Sequence, residues 1–411
     1  MSPKLPPKIL EIVFREIHGY RGYYPNHHLN DLHSCLLVNK EWCESTVPVL
    51  WSSVFYPIQT IRIDAITTYL SCLSSEKRQL LQRQAEVNIP LPKKYKKPKF
   101  EYASYLLELN FDKFLKTIFS WCKKYRKPYR IARRNELIIR SLLELFSSQG
   151  ANIKYFAMNN VPNYLLYDDY FNDLKSIDFN FLAESHLRNC LSSVTELRLE
   201  WDALALDGFL PALEQTCRSL KIIHTDFAHN PASASLFINR QQARDLATLV
   251  SAQSNLQKFI LQNHRYYTHF FIESLRTQKC SLKEIEFHSV DFLGCFPFQA
   301  LTSCSFLTHI SIEDCLNLNP DMVTPLFYAS FPDLQHVHVY NNDPPCEELI
   351  EWADKKNSKR EWWQIKLTIE NIRRSIRYFI MFVIAYWYLI PFLNLIFRIG
   401  WKLSNWLLET L

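Results

Sequence analysis

The stretch "LKEIEF", Leu282–Phe287, is answered by "LTHISI" at Leu307–Ile312, by "LQHVHV" at Leu334–Val339 and, upstream, by "LQKFIL" at Leu256–Leu261. Each carries apolar residues at its first, fourth and sixth positions, and the four starts are 26, 25 and 27 residues apart. The end of each hexapeptide alternates at the period of two that sends one row of strand side chains inward and the next outward. Further upstream the same form recurs in "LKIIHT" from Leu220, "VTELRL" from Val194, "LKSIDF" from Leu174 and "IKYFAM" from Ile153, at steps of 36, 26, 20 and 21 residues. Helix-like stretches such as "LALDGFLPALEQTC" and "RQQARDLATLVSA" follow the strands. An ordinary sheet of an α/β domain is the alternative reading of eight such hexapeptides. The helix that accompanies each strand favours a stacked repeat, in which every unit buries its apolar face against the next.

Units of about 20–29 residues, each a strand plus a helix, are the mark of leucine-rich repeats. The expected fold class is therefore α/β, with short parallel strands and helices over 150–345. Cys190, Cys217, Cys280 and Cys304 recur just before strands and are expected to be small buried residues rather than ligands. The outward row gives the candidate contact residues for a bound protein: Glu196, Arg198, Glu200, His224, Gln262, Glu284, Glu286, His288, Glu313, His338 and Tyr340. Its middle leans acidic, so a partner with basic or polar contact residues is expected, and charge reversal at Glu284 and Glu286 is expected to weaken its capture.

At 411 residues, 48% apolar and 21% charged, the chain has enough material for a large core. Its 6 glycines argue against a glycine-rich nucleotide loop, and a net charge of +6 does not by itself call for nucleic acid. The 11 cysteines include no C-x-x-C pair, and no secretory signal is read at Met1, so reduced thiols in the cytosol or nucleus are expected. G-x-S-x-G, H-E-x-x-H, Walker and paired-cysteine zinc patterns are all missing from the sequence, so no catalytic residue and no cofactor is assigned. His18, His27, His28 and His33 gather around one loop, but no cysteine or carboxylate is spaced to complete a tetrahedron, and no metal is expected. The lysines at 93, 94, 96, 97 and 99 and the basic run from Lys123 to Arg134 read as an exposed loop and a polar helix face.

Ahead of the repeats, 57–149 reads as a helical linker. In "LPPKILEIVFREI" the prolines suit a first helical turn, and Ile9, Ile12 or Val13, and Ile17 fall on one face. Asn30 or Asp31 can cap a second helix, and Asn39 a third that carries Trp42 and Val47. Such a unit buries little surface alone and is expected to dock onto something larger. After the repeats, 346–377 is basic and aromatic, and "YFIMFVIAYWYLIPFLNLIF" from Tyr378 to Phe397 has no charged residue. A span over 378–398 is long enough to cross a bilayer, with a short tail over 399–411. A helix closing the repeats and a helix lying in the membrane interface are the alternatives.

"LPPKILEIVFREI … DLHSCLLVNKEWCESTVPVLW", residues 1–56 in all, resembles the F-box, a three-helix module. The matches are Leu5–Pro6, the Ile9/Ile12/Phe14 helix, Asp31–Leu32, Cys35, Leu37–Val38–Asn39, Trp42, and Pro48 through Leu50–Trp51. The loop from His18 to Asn30 is longer than the family's usual connection, and the apolar C-terminal run is foreign to a mostly soluble family. With the repeats behind it, the chain resembles an F-box protein with a leucine-rich-repeat solenoid, and its middle section is similar to the expanded fungal F-box families. The resemblance implies a non-catalytic substrate-recognition subunit of a ubiquitin ligase. A Skp-type adaptor would be bound through Leu5, Pro6, Ile9, Leu32, Leu36, Val38 and Trp42, and would link it to a cullin–RING ligase. The repeats would hold an unidentified protein substrate. The C-terminal run would place this assembly at a membrane with the bulk of the chain in the cytosol, or in the cytoplasm or nucleus if it is not inserted. A membrane-tethered repeat scaffold without ubiquitin chemistry is the other reading.

Overall fold

A sheet in which every strand lies beside its neighbour in sequence organises the computed structural model. Residues 6–19, 31–55, 62–85, 98–125, 132–158, 174, 177–200, 206, 208–227, 239–295 and 298–357 are described. Residues up to Ala353 form one compact unit. The strands are β1 (Glu108–Asn110), β2 (Tyr155–Met158), β3 (Glu196–Glu200), β4 (Ile222–Asp226), β5 (Lys258–Gln262), β6 (Glu284–His288), β7 (His309–Glu313) and β8 (His336–Tyr340). They form one parallel sheet in the order β1 to β8. Register is kept from unit to unit: Ile223 faces Phe259, Phe259 faces Ile285, and Ile285 faces Ile310. With no reversal of strand order, the sheet has no switch-point crevice of the kind that holds nucleotides in doubly wound folds.

Parallel strands covered on both faces read as continuous apolar runs. Here β3 reads "ELRLE" and β6 "EIEFH", with only alternate residues buried, so one face is packed and the other is open. The packed face meets α8 (Ser185–Leu191), α9 (Phe209–Thr216), α10 (Arg240–Ser251), α11 (Thr268–Ser274) and α12 (Pro320–Tyr328). Leu197, Phe259, Ile285 and Ile312 share one core with Leu213, Leu246 and Phe271 of those helices.

Two boundaries move. The strand expected from Leu174 has no place in the ladder: β2 pairs directly with β3, and Phe179 opens a 3-10 turn over Phe179–Ala183. The first strand of the sheet instead lies in the segment read as a linker, at β1. Its surroundings, Leu106-x-x-Leu109-x-Phe111, have the repeat's own spacing, and all three apolar residues are fully buried. Helices α4 (Ile63–Cys72), α5 (Ser75–Gln84), α6 (Phe111–Tyr125) and α7 (Ala132–Ser148) add Ile66, Leu81, Phe114 and Leu142 to the same core. At the other end, Cys346 and helix α13 (Glu347–Asn357) continue the fold past the expected boundary, with Leu349, Trp352 and Ala353 buried. The expected membrane span at 378–398 lies outside the described residues; among those that are described, no helix is long and apolar enough to cross a membrane.

Cys190, Cys217 and Cys304 are buried as expected, whereas Cys280 is exposed. The reason is offset. Cys280 stands two residues before Leu282, while Gln278, four before it, takes the buried place. Burial pushes the Cys190 and Cys217 thiols up to about 12 and that of Cys304 up to about 11, which keeps them protonated and inert.

Candidate functional site

The N-terminal helices build their own small core and leave part of their apolar surface uncovered. Helix α1 (Pro7–Gly19), a short helix α2 over 31–35 and α3 (Lys40–Ser52) pack Leu10, Phe14, Leu32, Val49 and Leu50 together. Asn39 caps α3 as its sequence suggests, its Oδ1 accepting the Trp42 N–H at 2.9 Å. The inward stripe of α1 is Leu10, Phe14 and Ile17, so the expected face of Ile9, Ile12 or Val13, and Ile17 is corrected. Both stripes satisfy helical spacing, and only packing decides between them. Ile9, Ile12 and Val13 stay exposed, as do Leu37 at 87% and Val38 at 55%.

Of the expected adaptor set, Leu5 lies outside the described residues. Pro6, Ile9 and Val38 are exposed, and Leu36 and Trp42 are half-buried. Leu32 is fully buried and belongs to the small core, not to a contact face. Trp42 stands edge-on to Phe14 with centroids 5.4 Å apart, which fixes one side of the indole within the unit. Ile12, Val13 and Leu37 are the residues the sequence reading did not assign to the outer patch. The available signal was surplus: α1 carries apolar residues on two stripes, more than a three-helix unit can bury. Trp51 and Phe55 join this unit to the main core, with Trp51 5.1 Å and Phe55 6.0 Å from the Tyr69 ring.

The second candidate surface is the open face of the sheet. Arg198, Glu200, His224, Gln262, Glu284, Glu286, His288, Glu313, His338 and Tyr340 all point to it from β3 to β8. They do not stand as separate charges. Lys258 Nζ lies 2.8 Å from Glu284 and 2.6 Å from Glu286, and His288 Nε2 lies 3.2 Å from Glu286 Oε2. His288 Nδ1 is 3.4 Å from Glu313, which also accepts the Ser311 hydroxyl at 2.6 Å. His224 and Gln262 pair at 2.7 Å, and Arg198 is 3.6 Å from Glu200. The expected acidic middle is thus engaged by Lys258, a residue the hexapeptide pattern placed on the open face but the sequence reading did not weigh.

The pKa values follow this chain. Its hydrogen bond to His288 and the nearby Lys258 hold the Glu286 carboxyl down to about 2. The Glu286 hydrogen bond and the charge of Glu313 raise His288. Across the sheet His288 pairs with Gln262 of β5 and Glu313 of β7, and Lys258 reaches the same Glu286 that His288 meets. A raised imidazole stabilises the fold fully below its ordinary pKa of about 6.5, and the contribution fades as pH climbs through the raised value. A carboxyl held low adds stability that is lost only as pH falls towards its own folded value. NMR titration is therefore expected to put His288 above the ordinary imidazole range, and Glu286→Gln to bring it back down. An unshifted His288 in the parent protein would contradict the network.

No group of three or more histidine, cysteine, aspartate or glutamate side chains among the described residues is placed to hold a metal ion. His33 lies exposed on α2; the side chains of His18, His27 and His28 fall outside the described set. No family model matches the chain, and no curated protein matches it at a significant level. What the geometry defines is a class: a sequence-ordered parallel α/β sheet with one open polar face, preceded by a small helical unit with an uncovered apolar patch.

Proposed function

We propose that this chain is the substrate-recognition subunit of a Skp-cullin-F-box type ubiquitin ligase. The N-terminal helices act as the F-box, and the sheet acts as a leucine-rich-repeat receptor. The observation that carries this reading is the patch of Ile9, Ile12, Val13, Leu37 and Val38, exposed on a unit that already has a closed core of its own. Isolated apolar residues on a surface are ordinary, whereas several left exposed on one small helical unit suit a contact site. A small helical unit of this kind suits a partner groove lined with apolar side chains. On this reading the chain performs no chemistry itself. It positions a bound protein for a ligase reached through the adaptor.

The test is capture of a purified Skp-type adaptor by the full chain. Ile12→Ala combined with Leu37→Ala is expected to weaken capture by about tenfold or more, since truncating anchor residues typically costs over 1 kcal/mol each. Both residues are exposed, so circular dichroism should be unchanged. Absence of capture by the unaltered chain would refute the ligase reading and favour a repeat scaffold that works without ubiquitin. We further propose that the span 378–398, uncharged from Tyr378 to Phe397, anchors the protein in a membrane. Carbonate extraction should then leave the full chain in the membrane pellet and release a chain ending before Tyr378.

A further inference from the structure

The loops that follow β5 to β8 form a second edge, beside the open face, whose composition differs from both the face and the rest of the chain. Asp291, Leu316 and Asp343 lie in one row, joined by parallel backbone bridges. Neighbouring strands lie about 4.8 Å apart, so the two carboxylates flank a leucine at a separation of about 10 Å. Leu316 is 41% and Leu293 74% exposed, and Tyr340 stands exposed at the end of β8. Asp314, also exposed, stands two residues before Leu316 in the same loop.

Two of these carboxylates, Asp291 and Asp314, are held by amide donors and not by cations. Asn317 Nδ2 donates to Asp291 Oδ1 at 2.7 Å, and the Leu293 N–H donates to the same oxygen at 2.9 Å. Asn341 Nδ2 donates to Asp314 Oδ1 at 2.7 Å. Amide donors orient a carboxylate and leave its charge in place, whereas Lys258 compensates Glu284 and Glu286 on the open face. Among the described residues of these four loops the one cation is Arg265, at the β5 end. The chain as a whole carries +6, so an edge of this sign is set apart from its surroundings.

We infer that this edge, built on Asp291, Asp314, Asp343, Leu293, Leu316 and Tyr340, captures a protein segment that carries arginine or lysine interleaved with apolar residues. The apolar side chains of such a segment cover Leu293 and Leu316, and its cations meet the Asp291 and Asp343 carboxylates on either side. Complementary charge of this kind sets orientation and partner choice more than raw affinity. The inference rests on the substrate-receptor reading and names the class of segment the receptor takes. It moves the seat of recognition from Glu284 and Glu286 to the neighbouring loops.

Fluorescence anisotropy with a synthetic Arg–Leu repeat peptide and its Glu–Leu counterpart tests it on the full chain. The Arg–Leu peptide is expected to bind and the Glu–Leu peptide not to bind. Asp291→Asn with Asp343→Asn should weaken binding about tenfold, the size expected when two exposed charge contacts are lost. Asparagine keeps the acceptor for Asn317, and Leu316→Ser provides a second variant that should weaken binding without changing charge. Equal affinity for both peptides, or full affinity in the double variant, would overturn the inference. Adaptor capture is measured on the same preparations. Captured adaptor without Arg–Leu binding overturns the edge alone; Arg–Leu binding without adaptor capture supports the edge and overturns only the ligase reading.

Discussion

Phe111→Ala is expected to destabilise the protein by about 4 kcal/mol, the middle of the range for emptying a buried aromatic site. Phe111 is fully buried where β1 runs into α6, and its ring stands 5.3 Å from Phe156, 5.9 Å from Phe114, 6.0 Å from Phe209 and 6.1 Å from Phe179. Those four come from α6, β2, a 3-10 turn and α9, so the residue ties the first units of the sheet together. Removing the ring loses its transfer free energy and leaves a cavity that four separately anchored aromatics cannot all collapse into. Phe111→Leu keeps most of the volume and should cost less than half as much. Urea unfolding followed by tryptophan fluorescence reads both variants, since Trp51 and Trp121 lie in the same core. A loss below about 1 kcal/mol for the alanine variant would show that the junction repacks freely.

The second large effect is expected at Gln253. Its side chain is buried, with Oε1 accepting the Leu220 N–H at 3.1 Å and Nε2 donating to the carbonyls of Cys217 at 2.9 Å and Leu249 at 2.8 Å. Gln278, in the following unit, repeats the arrangement by donating to the carbonyls of Val250 at 3.0 Å and Gln253 at 2.8 Å. Each amide serves backbone groups at the passage from helix to strand, where the helical ladder has ended and the sheet ladder has not begun. Gln253→Leu keeps the volume but leaves the Leu220 N–H and the Cys217 carbonyl without their partner. At 1–3 kcal/mol for each buried unsatisfied group, about 3 kcal/mol should be lost. Ser254→Ala, one residue away and exposed, should be neutral. Equal midpoints for the two variants would mean that water serves those backbone groups as well as glutamine does.

Much of the sheet was readable because its signal is local. A period of two within each strand and a recurrence every 25–27 residues between Leu256 and Leu334 do not depend on what lies elsewhere in the chain. The same signal lay at Leu106–Phe111, hidden by the helical periodicity on both sides of it. Leu174–Phe179 shows the reverse, an apolar spacing with no place in the ladder. Exposure was less readable. Leu32 and Leu37 are both leucines in the same motif, yet one is fully buried and the other is 87% exposed, and no one-dimensional pattern separates them. On the open face the alternation named the outward residues but not their pairing, which follows from register across three strands.

The sequence by itself determined the alternation, the order of the strands and the absence of a glycine-rich loop, because each depends on neighbours along the chain. Which apolar stripe of α1 turns inward, which acids meet Lys258 and which are held only by asparagine amides were decided by the tertiary structure. These outcomes depend on residues in different units, such as Lys258 with Glu286 or Asp291 with Asn317, brought within hydrogen-bonding distance by the stacking of the sheet.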